Sequence, residues 1–102
     1  MTSNKVMKLT EAINHVEHPA IAATLTELGM LKDIEISEAG EVSLSLLLPF
    51  PQIPENVQNY MINSLAEAAQ SAGGELNQVN LSVMNPTEKQ NFLRIETQNW
   101  RG

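Results

Sequence analysis

The sequence predicts an α+β fold: a two-layer sandwich in which helices lie mainly on one face of a small three-stranded mixed sheet. Apolar residues follow helical spacing in some segments and strand alternation in others, in the order α-α-β-β-α-β-α. A chain of 102 residues, 42% of them apolar, is long enough to bury one core between two layers. We therefore expect one α+β domain over residues 1–84, extended by a C-terminal helical segment over residues 85–102.

Two helices are predicted ahead of the sheet. The first runs from about Asn4 to Val16, because apolar residues recur there at spacings of three and four. Pro19 forbids its continuation, since proline disrupts a helix interior. A second, short helix is expected over residues 20–28, with Gly29 as its C-cap.

The clearest signal is a hairpin that leads into a proline-rich loop. Two alternating segments, residues 30–37 and 42–48, flank a turn that ends in Gly40. Prolines at positions 49, 51 and 54 then stop the second strand, and Pro54 is expected at the first position of a helix. The residues that share one face of the second strand, and are predicted to be buried, are Val42, Leu44, Leu46 and Leu48.

The second half of the chain predicts a helix, a strand and a final helix. Residues 55–72 carry a helical apolar stripe that Gly73 and Gly74 end, and residues 79–83 alternate as a third strand. A helix between two strands implies a right-handed crossover if those strands are parallel. The last helix is expected over residues 85–100, where Asn85 and Glu88 have the spacing of a reciprocal N-terminal cap.

The charge balance and the cysteine count exclude several function classes. Twelve acidic residues against six basic ones give a net charge of −6, which argues against nucleic acid or an anionic membrane as partner. No apolar run approaches the roughly 20 residues that span a bilayer, and the first residues lack a signal-peptide core. We therefore expect a cytoplasmic location. The chain has no cysteine, so disulfides and thiolate-ligated clusters are excluded.

The candidate chemical groups are few. His15 and His18 are spaced i, i+3 and would share one face of a helix, as metal ligands can. Pro19 should unwind the chain at His18, however, and no third ligand stands nearby. No Ser, Thr or Tyr lies in a recognisable nucleophile motif. We therefore expect no catalytic residue, no metal ligands and no cofactor, with a metal- or small-molecule-binding domain that uses His15 and His18 as the alternative.

The apolar loop carries a different signal. Leu48, Phe50 and Ile53 would mark a partner surface if they are exposed and would cap the core if they are buried. The sequence pattern leaves both interpretations open.

Three stretches together resemble the iron–sulfur assembly-associated domain family of SufT and PaaD, which also forms the N-terminal part of Mrp/ApbC-type P-loop ATPases. They are residues 16–20 with 28–34, the hairpin with its proline loop and helix, and the strand near residues 79–84. The first stretch is commonly Val-x-Asp-Pro-Glu in the family, and the loop commonly Thr-x-x-x-Cys-Pro. Here His18 and Ala20 replace the two acids, and the place of the loop cysteine falls at Pro51 or Ile53.

The resemblance implies a non-catalytic accessory or adaptor protein in iron–sulfur cluster assembly or iron–sulfur protein maturation. Its partners would be assembly or client proteins, with an Mrp-type ATPase as one candidate, because Leu48-Pro49-Phe50 is similar to the pattern in Mrp-type domains without the loop cysteine. A structural oligomerisation module that uses the C-terminal helix is a further alternative. The motif positions expected to contact a partner are His18, Pro19, Leu48, Pro49, Phe50, Pro51, Ile53 and Pro54.

Overall fold

The computed structural model describes residues 4–19 and 21–99, within which three helices accompany one three-stranded sheet. The predicted α+β class is confirmed, with the order α-β-β-α-β-α. No helix in the described part of the chain is long and apolar enough to cross a membrane. The elements are α1 (Asn4–Asn14), β1 (Leu31–Ile36), β2 (Glu41–Leu48), α2 (Glu55–Ser71), β3 (Glu75–Val83) and α3 (Pro86–Asn99).

The sheet is mixed, with β2 in its centre. β1 pairs with β2 antiparallel through the predicted hairpin, and β3 pairs with β2 in parallel on the other side. Because β2 and β3 are parallel, the segment between them is a crossover connection, with α2 as its helix. β3 begins four residues earlier than the sequence alternation indicated, at Glu75 instead of Val79.

The predicted inward face of β2 forms the middle of the core. Val42, Leu44, Leu46 and Leu48 are all at most 5% exposed, which confirms the predicted register. Leu47 points to the opposite face of the sheet and is also buried. The helices α1 and α2 contribute further buried residues to the core: Leu9, Ile13, Met61, Leu65 and Ala69.

The second predicted helix, over residues 20–28, is wrong. Glu17 and Thr24 form an isolated antiparallel bridge, so the backbone between them forms a loop and not a helix. Only one helical turn remains before Gly29, whose φ of +73° ends it as the predicted C-cap would. Ala20 lies outside the described residues.

Reciprocal side-chain caps hold this single turn. The Thr24 N–H donates to Glu27 Oε1 at 2.9 Å, and the Glu27 N–H donates to Thr24 Oγ1 at 3.1 Å. The apolar spacing that suggested a helix has another use, because Ile21, Leu25 and Leu28 are all fully buried in the core. Burial of a loop and burial of a short helix leave the same apolar pattern in the sequence.

Two glycines let the hairpin turn approach the start of β3. The Gly40 N–H donates to the Ser37 carbonyl at 2.9 Å, and the φ of Gly40 is +90°. The Gly40 carbonyl in turn accepts the Glu75 N–H at 2.9 Å. A Cβ atom at Gly74 would collide with that carbonyl oxygen and would lie 2.7 Å from a Leu9 methyl group. The contact therefore requires glycine at position 74.

Candidate functional site

An apolar cleft of about 190 Å³ lies where β2 ends and the proline loop leaves the sheet. Its wall combines the loop before β1, the proline loop, the start of α2, and α3. Segments far apart in sequence therefore meet at one place. The lining residues are His18, Met30, Pro49, Phe50, Ile53, Pro54, Val57, Met61, Phe92 and Glu96.

The proline loop is fixed at both of its ends. Pro49 is buried directly after β2, and Phe50, 37% exposed, is the first loop residue that reaches solvent. At the other end the Gln58 side chain donates to the Ile53 carbonyl at 2.7 Å. Pro54 is the N-cap residue of α2, with φ −55° and ψ 140°. It therefore immediately precedes the first helical position, where it was predicted to lie. Its extended ψ turns the chain into the helix.

His18 lies in the loop between α1 and β1, and the hydrogen bonds of this loop fix its position. Its backbone N–H donates to the Ala23 carbonyl at 3.1 Å, next to the bridge between Glu17 and Thr24. Its imidazole meets the Phe92 ring edge-on, with the ring centroids 6.4 Å apart and the planes at 62°. This arrangement is a favourable geometry for two aromatic rings. His18 thereby connects the loop between α1 and β1 to α3.

The helix α3 closes the cleft. It begins with the predicted reciprocal cap: the Glu88 N–H donates to Asn85 Oδ1 at 2.8 Å, and the Asn85 N–H donates to Glu88 Oε1 at 2.9 Å. Phe92 is 2% exposed, and at the helix end the Asn99 carbonyl accepts the Ala22 N–H at 2.7 Å. The helix is thus attached to the rest of the domain at Phe92 and at its C-terminal end. Trp100 lies outside the described residues.

A cation–π contact connects α3 to the proline loop. Lys89 Nζ lies 4.4 Å from the centroid of the Phe50 ring. At an exposed site such a contact stabilises by about 0.5–1 kcal/mol. Phe50 is therefore held at the mouth of the cleft with part of its ring accessible to a partner.

The cleft has few ionisable groups in its lining. Its ionisable lining groups are His18 and Glu96. The described residues contain no buried polar or charged side chain and no group of three or more His, Asp or Glu that could hold a metal ion. α1 ends at Asn14 and His15 is exposed, so the helical pairing of His15 with His18 that motivated the alternative does not form.

Five of the eight motif positions singled out from the sequence line this cleft. Of the other three, Leu48 is buried in the core at 5% exposed, Pro19 is half-buried and Pro51 is exposed. Both interpretations of the apolar loop thus apply, each to a different residue. The five positions that line the cleft are His18, Pro49, Phe50, Ile53 and Pro54.

Five further lining residues were not singled out from the sequence as contact positions: Met30, Val57, Met61, Phe92 and Glu96. Phe92 and Glu96 lie one turn apart on α3, and the sequence predicted that helix without indicating where it packs. Nothing in the sequence indicated that Phe92 lies near the proline loop, because an apolar residue can pack against any apolar neighbour.

A second depression, of about 330 Å³, lies beside the hairpin turn. It is open to solvent and carries the carboxylates of Glu35 and Glu41 with the hydroxyls of Ser37 and Ser43. Polar groups in such a position are already hydrated, so a partner gains little by displacing water from them. The apolar cleft is the stronger candidate for a binding site, because apolar surface removed from water contributes about 25 cal/mol per Å².

The fold and the cleft define a small α+β domain that has an apolar cleft beside its central strand. The family model described as iron–sulfur cluster assembly protein matches residues 7–83, and the chain belongs to this family. The resemblance to SufT, PaaD and the N-terminal domain of Mrp-type ATPases is thereby confirmed, and it indicates involvement in iron–sulfur cluster assembly. No curated protein sequence matches the chain significantly.

Proposed function

We propose that this chain is a non-catalytic accessory or adaptor protein in iron–sulfur cluster assembly or iron–sulfur protein maturation. It binds an assembly or client protein through the apolar cleft. The observation that carries this proposal is that the two family-motif segments, at His18 and at residues 49–54, form walls of the same apolar cleft. An Mrp-type ATPase is a candidate partner, because this domain also occurs at the N-terminus of such enzymes.

The size and lining of the cleft favour a protein side chain as the occupant. A volume of about 190 Å³ is below the roughly 300–1,000 Å³ of typical small-molecule sites. Full burial of one leucine, methionine or phenylalanine from a partner contributes about 1.5–3 kcal/mol. Anchors of this kind, inserted into a pocket that excludes water, dominate the affinity of many protein interfaces.

The chemistry of the loop supports protein contact over cluster binding by this chain itself. The family's loop cysteine falls at Pro51 or Ile53, and Ile53 is an apolar lining residue of the cleft. Cluster ligation by cysteine needs thiolates, and the chain has none. In our proposal any cluster is held by the partner, and this chain supplies a surface.

The C-terminal helix adds a wall that the family match does not include. The match ends at residue 83, whereas Phe92 and Glu96 line the cleft from α3. The position of α3 therefore shapes which side chain the cleft accepts.

Binding to a purified Mrp-type ATPase and to apo forms of iron–sulfur proteins from the same cell, measured by calorimetry, tests the proposal. We expect Phe50→Glu to weaken binding by at least about tenfold, because loss of a hot-spot residue costs about 2 kcal/mol or more and tenfold corresponds to about 1.4 kcal/mol. Lys89, which lies over the ring, would pair with the new carboxylate and keep the loop in place.

Leu93→Glu is the matched control. Leu93 and Phe50 are both 37% exposed, but Leu93 does not line the cleft. The control should bind like the wild type. Equal affinities for the two variants would contradict the proposal that the partner binds in the cleft. No binding to either class of protein would contradict the adaptor role.

A further inference from the structure

The two edges of the sheet are built differently. β1 carries the charged residues Lys32, Asp33 and Glu35, and its pairing is irregular where Asp33 adopts a φ of +53°. Charges and bulges on an edge strand oppose pairing with another chain. β3 has neither proline nor a basic residue, and its one charged residue is Glu75 at the start of the strand. The β3 edge therefore lacks the usual protection.

The second half of β3 also exposes apolar side chains. Leu81 is 48% exposed and Val83 is 51% exposed, although their register partners on β2, Leu46 and Leu48, are at most 5% exposed. In a parallel pair such partners lie on the same face of the sheet. The apolar surface of the core thus continues onto β3 and ends there in solvent.

The backbone groups of these same residues point away from the sheet. The Met84 N–H donates to the Leu48 carbonyl at 2.8 Å, so the backbone N–H of Met84 points towards β2. Because this direction alternates along a strand, the N–H and C=O groups of Val79, Leu81 and Val83 face the outer edge. In the described part of the chain, β3 has no neighbouring strand on that side.

We propose that β3 pairs with β3 of a second copy of this chain, antiparallel, about a twofold axis at Leu81. In this register Leu81 faces its own counterpart and Val79 faces Val83, so every outward-facing residue of the overlap meets another. The Leu81–Leu81 pair and the two Val79–Val83 pairs are then hydrogen-bonded pairs. Their apolar side chains lie on the helix-covered face of the sheet. On the other face Asn80 lies opposite Ser82.

The strand itself argues for a second copy as the occupant. An interface with twofold symmetry must be self-complementary, and residues 79–83 are so in both hydrogen bonding and side-chain polarity. The overlap contains no charged residue, so the net charge of −6 on each chain is kept away from the contact. A shift of the axis to Val79 would instead place Leu81 opposite Asn77, where the β2–β3 register is irregular.

Single-cysteine variants test this register directly, because the natural chain has no cysteine. Two Leu81→Cys residues across the axis would have Cα atoms about 5.5 Å apart, within the roughly 4.4–6.8 Å that a disulfide spans. Under mild oxidation at micromolar protein, Leu81→Cys should form a cross-linked dimer at least about tenfold faster than Leu93→Cys. Equal rates would overturn the proposal.

Sedimentation of the unmodified protein provides the second measurement. The wild type and Leu93→Lys should dimerise with rising concentration, whereas Leu81→Lys, which places two like charges at the axis, should sediment as a monomer. Far-ultraviolet circular dichroism checks that Leu81→Lys keeps its fold. A wild type that stays monomeric at every concentration, or a folded Leu81→Lys that still dimerises, would overturn the proposal.

Discussion

Replacement of Leu44 by alanine is the sharpest test of the core. Leu44 is 1% exposed in the central strand, and its register partner on β3 is Val79. The change removes three carbon atoms at about 0.8 kcal/mol each, or about 2.4 kcal/mol of transfer free energy. Strands on both sides restrict collapse of the resulting cavity, so we expect a total loss of about 3 kcal/mol, within the usual range of about 2–5 kcal/mol.

A loss of about 3 kcal/mol is large for a domain whose total stability is expected to be about 5–15 kcal/mol. Thermal unfolding should shift down by roughly 12–24 °C for a chain of this size, and urea unfolding should show the same free-energy change. Leu93→Ala, the same change at a 37% exposed position on α3, should cost less than about 1 kcal/mol. A loss below about 0.5 kcal/mol for Leu44→Ala would refute the register and would place Ser43 and Ser45 inward.

Three further predictions concern a glycine contact, a helix cap and the lack of cysteine. Gly74→Ala should cost about 1–3 kcal/mol in urea unfolding, because its Cβ would collide with the Gly40 carbonyl oxygen; wild-type stability would contradict that close contact. Asn85→Ala should cost about 1 kcal/mol through loss of the cap to the Glu88 N–H, whereas Asn91→Ala, at an exposed position within α3, should cost less than half as much. Anaerobic reconstitution of the purified protein should yield no stable iron–sulfur cluster, since the chain has no cysteine; stoichiometric iron and sulfide after chromatography would contradict this.

Local signals in the sequence were sufficient for most of the secondary structure. The alternation around Leu44 predicted the central strand, and the spacing of Asn85 and Glu88 predicted a cap that is present with both hydrogen bonds. The failure over residues 20–28 has a physical cause. An apolar residue every three or four positions serves a buried loop as well as a helix, and the bridge between Glu17 and Thr24 is a tertiary contact.

The cleft was only half predictable for a related reason. Family motifs pointed to His18 and the proline loop, and these do meet in the structure. The contribution of Phe92 depends on where α3 packs, which is set by the contact with His18 and by the hydrogen bond between Ala22 and Asn99. Neither contact has a signature in local composition.

The activity of iron–sulfur enzymes in cells that lack this chain is the most direct test of the proposed function. Our account predicts that the loss of the chain lowers the specific activity of at least one iron–sulfur enzyme while cluster-free enzymes keep theirs. Wild type and Leu93→Glu should restore that activity, and Phe50→Glu, expressed at the same level, should not. Full activity without the chain, or full restoration by Phe50→Glu, would contradict the claim that the cleft acts in iron–sulfur protein maturation.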